Sequence, residues 1–142
     1  MPSQLQSPEV QAFATGFPVT LLHASVTLVM LILGTTLYAL LTPHKEITLI
    51  REGNSAAALS LGGVMVGLAI PLATSLRASV SPLEIVLWGV STIAVQLLVF
   101  RVTDMILKGL PERIQEGEVA AAALLVGAKI ATALILAAAV AG

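Results

Sequence analysis

Cysteine is absent from the chain, so it can form neither a disulfide nor a thiolate metal site. Histidine occurs only at His23 and His44, too few imidazoles for a histidine metal cluster within one chain. Charge is scarce: Asp, Glu, Lys and Arg make up 11% of the 142 residues, against roughly 25% in a soluble domain. That is too little to cover a water-facing surface. The formal net charge is −1, which lacks the basic footprint of a nucleic-acid binder. No nucleophile–base pairing and no metal-ligand spacing occurs, so neither enzymatic activity nor a cofactor is expected. Residues 1–19 hold no Lys or Arg, so the positive region of a signal peptide is missing as well.

What the chain has in quantity is apolar sequence, at 57% of residues. An integral membrane protein of the all-α class is expected. Four apolar runs, near 18–41, 54–76, 83–106 and 119–140, are each long enough to cross ~30 Å of hydrocarbon at ~1.5 Å per residue. Residues 1–17 read as a loose polar tail with a short interfacial helix around Glu9–Thr15. Residues 18–78 form a first transmembrane hairpin and residues 79–142 a second. Tyr38 suits a membrane interface. Pro43 ends the first span, and a charged loop with His44, Lys45, Glu46, Arg51 and Glu52 follows. Pro71 lies inside the second span, where it removes a backbone donor, frees the carbonyl of Gly67 and favours a kink. The tight connection from Arg77 to Pro82 makes spans two and three antiparallel neighbours.

One stretch occurs twice. Residues 52–63 read EGNSAAALSLGG, and residues 116–127 read EGEVAAAALLVG, with seven of twelve positions identical. Each copy marks the point where a charged loop turns into an apolar run. Asn54 or Ser55 can cap the second span, and Glu52 and Glu116 suit the positive ends of the helices that follow. Glu52 and Glu116 can also hold the basic residues Arg51 and Arg113. The chain therefore reads as a four-helix bundle built from two parallel helix-hairpin repeats. The first and third loops carry Lys45, Arg51, Lys108 and Arg113, whereas the second carries Arg77 alone. That bias puts the charged loops in the cytoplasm and both termini outside it.

The motifs Glu52-Gly53-Asn54-Ser55-Ala56-Ala57-Ala58-Leu59-Ser60, Ala69-Ile70-Pro71-Leu72, Leu87-Trp88-Gly89 and Arg113-Ile114-Gln115-Glu116-Gly117 followed by Val119-Ala120-Ala121 resemble the YjfL-like family of bacterial inner-membrane proteins, domain of unknown function family 350. The resemblance covers nearly the whole chain after the tail. It implies paired hairpins in the inner membrane and a gene neighbourhood shared with a peripheral membrane-remodelling protein of the phage-shock type. No reaction comes with it. The family pattern has Asn after the second Glu-Gly, where this chain has Glu118.

Lys129 is the sharpest candidate. It lies about ten residues into the fourth span, hence ~15 Å deep, where a lysine costs ~2.5–3.5 kcal/mol on insertion scales. Such a residue faces a bundle interior or a wet cavity, or it snorkels at an oligomer seam. Gln96 is expected at the same level as its partner, on a stripe with Thr92 and Thr103 that lines either a pathway or a helix contact. Arg101 and Asp104 are three apart and can pair on one face. They form either an anchor or an inner vestibule in which Asp104 accepts a proton or cation below Lys129. Gly63 and Gly67 form a small-xxx-small packing step. The Gly67 carbonyl freed by Pro71 could hold a cation if the site is wet.

Two functions remain open from sequence. One is an oligomeric assembly that conducts ions or protons, with Lys129, Gln96, Arg101 and Asp104 at its pathway. Four short helices enclose little volume, so several copies are expected. The other is a membrane adaptor docking a peripheral membrane-remodelling partner through loops 45–52 and 108–118. An intramembrane enzyme is a weak third. The bilayer itself is an expected partner.

Overall fold

The computed structural model describes residues 4–42 and 45–142. Pro43 and His44, expected to end the first span and open the loop, lie outside the described residues, as does the start of the tail. A 3-10 turn at Gln4–Gln6 leads into six α-helices: α1 (Pro8–Leu41), α2 (Glu46–Arg51), α3 (Ser55–Ala78), α4 (Pro82–Ile106), α5 (Leu110–Gln115) and α6 (Val119–Ala141). Four of them, α1, α3, α4 and α6, are long and apolar enough to cross a membrane.

Helix α1 starts at Pro8, not at Pro18, and absorbs most of the expected tail. Local chemistry explains the early start. The Ser7 hydroxyl accepts from the Val10 amide, and Pro8 occupies the first turn, where a missing donor costs nothing. Pro18 is carried inside the helix. Residues 8–22 of α1 are exposed throughout, with the Phe13 and Phe17 rings stacked 5.0 Å apart, and its buried positions come late, at Met30, Gly34 and Tyr38. At 34 residues, α1 is also longer than the ~20 that a bilayer core needs.

The duplicated Glu-Gly stretch resolves into one device used twice. Gly53 and Gly117 both have φ of 88°, a left-handed conformation that favours glycine. Around the first, the Gly53 amide bonds to Ile50 O and the Asn54 amide to Leu49 O. Around the second, the Gly117 amide bonds to Ile114 O and the Glu118 amide to Arg113 O. Each is a Schellman ending for a six-residue helix. Glu52 and Glu116 are therefore the C-caps of α2 and α5, and the N-caps of the long helices are Asn54 and Glu118. The expectation that Glu52 and Glu116 open the spans is corrected: the short helices, too brief to show a hydrophobic period, take those residues first.

The two caps differ in what they hold. Asn54 Oδ1 accepts from the Ala57 amide at 3.0 Å, while its Nδ2 donates to Ile114 O at 3.0 Å and Gln115 O at 3.1 Å. One side chain thus caps α3 and ties it to the end of α5. Glu118 makes no cap bond and instead accepts from Arg113, with Nε 2.6 Å from Oε2. Arg113 is held by Glu118 rather than by Glu116.

This tie brings the N-terminal ends of α3 and α6 together. They form the most extensive helix contact in the molecule, and the Ala runs make it possible. Ala56, Ala57, Ala121 and Ala122 pack with Ile114 and Leu125 into one buried cluster. A middle layer holds Tyr38, Val64, Leu68 and Phe100, and the far layer Met30, Leu72, Ile85 and Ile93. Helices α3 and α4 are joined by residues 79–81 and run antiparallel, with Ser81 capping the Glu84 amide. Helix α3 continues through Pro71, which is itself buried.

Gly63 and Gly67 sit where close approach is required. A Cβ at Gly63 would collide with the branched Val126 side chain, and one at Gly67 would lie 2.7 Å from Phe100 Cζ. At Gly62 a Cβ meets nothing within 4 Å. Gly63→Ala is therefore expected to destabilise the α3–α6 contact by about 1–3 kcal/mol, with Gly62→Ala near neutral. Thermal unfolding of the two variants in the same detergent checks the difference.

Candidate functional site

Lys129 on α6 is 0% exposed. Its ammonium lies 3.0 Å from Asp104 Oδ1 on α4 and donates to the Tyr38 hydroxyl on α1 at 2.9 Å. It also stands 4.9 Å from the centre of the Tyr38 ring and 5.3 Å from that of Phe100. The two rings meet edge to face, with centroids 6.2 Å apart. Gly67 leaves the space that the Phe100 ring fills. One cation from α6 is thus enclosed by the Asp104 carboxylate and the Phe100 ring of α4 and by the hydroxyl and ring of Tyr38 on α1.

The expected partner of Lys129 was Gln96, and the structure corrects this. Helical side chains lean toward the helix N-terminus, which carries the ammonium from the level of Gln96 toward the charged end of the bundle. There it meets Asp104, and a carboxylate outcompetes a neutral amide for an ammonium. Gln96 is left 0% exposed with neither amide atom hydrogen-bonded. Thr92 and Thr103 share its buried face, but each hydroxyl donates back to its own helix, at Trp88 O and Val99 O.

Arg101 does not pair with Asp104. The buried face of α4 runs through Gln96, Phe100 and Thr103, and Arg101 falls beside it and stays exposed. Asp104 turns inward and keeps 16% of its side chain exposed. The repeat residues Glu52, Gly53, Asn54, Glu116, Gly117 and Glu118 lie in the loops, apart from the Lys129 cluster. Among the described residues, no group of three His, Asp or Glu is placed to hold a metal.

A second acid belongs to the site. Glu46, at the start of α2, is buried, and its Oε2 has no hydrogen-bond partner. Its carboxyl interacts with Lys129, Asp104, Tyr38 and Ser60. With Tyr38, Ser60 and Asp104 it lines a crevice that leaves no room for a water molecule. Burial pushes the Glu46 carboxyl up to about 7, against a smaller downward pull from Lys129.

Sequence reasoning passed over Glu46, Tyr38 and Ser60. Glu46 reads as one loop charge among several, Tyr38 as an interfacial aromatic and Ser60 only as the end of a family motif. A signal was present. At the 64-residue offset of the duplicated stretch, Lys129 stands opposite Met65, Asp104 opposite Leu40 and Gln96 opposite Ile32. Tyr38 stands opposite Val102, Glu46 opposite Leu110 and Ser60 opposite Leu124. Every polar member of the cluster faces an apolar residue in the other half. Met65, Leu40, Ile32, Val102 and Leu124 are all exposed on the bundle surface, so the cluster is built once.

That offset supplies a substitution set. Lys129→Met alone leaves the Asp104 carboxylate without its partner and is expected to cost about 3–5 kcal/mol. Adding Asp104→Leu should recover most of that loss, because an apolar pair replaces an ionic one. Unfolding midpoints of the single and double variants in detergent measure the recovery. Glu46 gives a pH signature. Its carboxyl in the folded protein stands near 7 against an ordinary 4.5. The stability it contributes is complete below about pH 4.5 and is lost as pH rises through about 7. The unfolding temperature should fall across that window, and Glu46→Gln should flatten the fall.

Against known proteins, residues 12–140 match the family model described as Domain of Unknown Function (DUF350). The UPF0719 inner membrane protein YjfL of Escherichia coli strain K12 is 35% identical over 85 residues, covering 60% of this chain and 64% of the relative. The YjfL of Escherichia coli O157:H7 gives the same figures. The match thus spans a little under two thirds of the length of these relatives. No solved structure matches the chain. With a family match over almost the full length and four helices fit to cross a membrane, this chain is an integral membrane protein and belongs to the DUF350 family.

Proposed function

We propose that the protein is a proton-conducting subunit of a bacterial inner membrane, with Lys129, Asp104, Glu46 and Tyr38 as its proton-binding site. The inner-membrane placement rests on the YjfL relatives. The observation that carries the reading is one fully buried lysine paired with Asp104, with a second, buried carboxyl at Glu46 near enough to feel its charge. Ionisable groups at membrane depth are costly, and proton relays are among the uses that retain them. Asp104 is engaged by the ammonium, while Glu46 takes up and releases a proton near neutral pH.

The charged end, with α2 and α5, faces the cytoplasm in this reading, and both termini lie outside it, as the excess of Lys and Arg in those loops suggests. Access from that side is through Asp104, the partly exposed member of the cluster. On the other side, beyond Phe100, the next polar side chain on the buried face of α4 is Gln96, with its unmatched amide. Four helices leave no wide lumen between them, so a homo-oligomer is part of the proposal. The two hairpins act as a repeat in which each supplies polar residues to a single shared site, while the matching position in the other hairpin stays apolar. The matching Schellman turns at Gly53 and Gly117 support that reading.

One observation favours the adaptor reading. Asn54 ties α3 to α5, which makes the charged end a braced platform with Arg51, Glu52, Glu112 and Glu116 exposed. A peripheral protein could dock there.

Proton flux into proteoliposomes, followed with an entrapped pH dye under an imposed potential, separates the two. Lys129→Met with Asp104→Leu, and Glu46→Gln alone, should each reduce flux at least about tenfold, roughly 1.4 kcal/mol in the barrier. Wild-type flux no greater than that of empty liposomes would sink the conduction reading and leave the platform.

A further inference from the structure

Two depressions open on the surface between α1 and α4. The first, of about 400 Å³, has Leu41, Leu97 and Leu98 among its walls. The second, of about 350 Å³, continues toward α5 and reaches Lys108 and Glu112. Arg101 and Asp104 line both, so the two form one groove, apolar at one end and charged at the other. Arg101 and Lys108 are exposed and join no ion pair among the described residues. Of the acids on the wall, Asp104 is engaged by Lys129, which leaves Glu112 alone to oppose two cations. The groove follows the last turns of α1 and α4, where an apolar span gives way to a charged loop. That is the depth at which acyl chains give way to headgroups.

We propose that this groove binds one anionic phospholipid, with its phosphate between Arg101 and Lys108 and the upper part of an acyl chain along Leu41, Leu97 and Leu98. The guanidinium fork of Arg101 suits a phosphate, and Lys108 adds a second point charge. Basic pockets between membrane helices on one side of the bilayer recognise headgroups in this way. A zwitterionic lipid brings its own cation to a rim that already carries two. Free inorganic phosphate shares the headgroup chemistry but leaves the leucine wall unused. A lipid in this groove also covers the exposed edge of Asp104. The proposal does not depend on proton conduction.

Native mass spectrometry of the detergent-purified protein tests it, with phosphatidylglycerol, phosphatidylcholine and inorganic phosphate titrated separately. Phosphatidylglycerol is expected to bind at least about fivefold more tightly than phosphatidylcholine, with inorganic phosphate weaker than both. Arg101→Gln and Lys108→Gln should each weaken phosphatidylglycerol about fivefold, the size expected for one cation near a membrane surface. Arg77→Gln, at the opposite end of α3, should change nothing. Both groove residues are exposed, so their substitution does not disturb the core. Equal retention of the two lipids, or a preference that survives both groove substitutions, overturns the proposal. Inorganic phosphate binding as tightly as the lipid overturns it too, by showing a phosphate site without a lipid.

Discussion

A lysine ammonium held ~15 Å along a membrane helix must be matched by something other than water, and the middle of this structure follows from that requirement. Lys129 is matched by Asp104 and by the Tyr38 hydroxyl. The ring faces of Tyr38 and Phe100 add an electrostatic lining that no aliphatic side chain provides. Phe100 reaches its place only because Gly67 has no side chain. The position of α2 follows as well, since it carries Glu46 into the same cluster. A buried ion pair is a weak source of stability, because desolvation offsets much of the attraction.

The charged end answers a different problem. Two long helices, α3 and α6, must start side by side, and their first turns leave backbone amides without partners. Alanine solves the spacing, since Ala56, Ala57, Ala121 and Ala122 let the backbones approach. The turns at Gly53 and Gly117 deliver the chain to the same point in the same conformation. Asn54 then joins the halves, an arrangement that needs a donor and an acceptor in one side chain. Glu118 has no donor when ionised, so it cannot play the reciprocal part, and it turns to Arg113 instead.

Legibility differed between the helices and the site. The long helices α3, α4 and α6 begin and end within two residues of the apolar runs, because burial in lipid and burial in protein demand the same composition. The start of α1 was obscured by Gln4, Gln6 and Pro18, residues that suggest a tail until the Ser7 cap is recognised. Helices α2 and α5 have six residues each, too few for a periodic pattern. Gly63 and Gly67 were legible as a packing step, though not their partners Val126 and Phe100. Within the site, Lys129 and Asp104 stood out because ionisable residues near apolar runs are rare. Glu46 did not, because a carboxyl in a charged loop looks solvated whether or not it is.

The class of environment, the number of long helices, the duplicated turn and the identity of the costly lysine are all written in the chain itself. Each follows from composition or from spacing along one segment. Which acid meets that lysine, that a loop carboxyl joins it, that Arg101 faces away and that Gln96 is left without a partner are matters of helix packing. Those outcomes depend on the rotation of each helix about its own axis and on the lean of its side chains. Four separate segments must be placed against one another before either is fixed, and no local pattern carries that information.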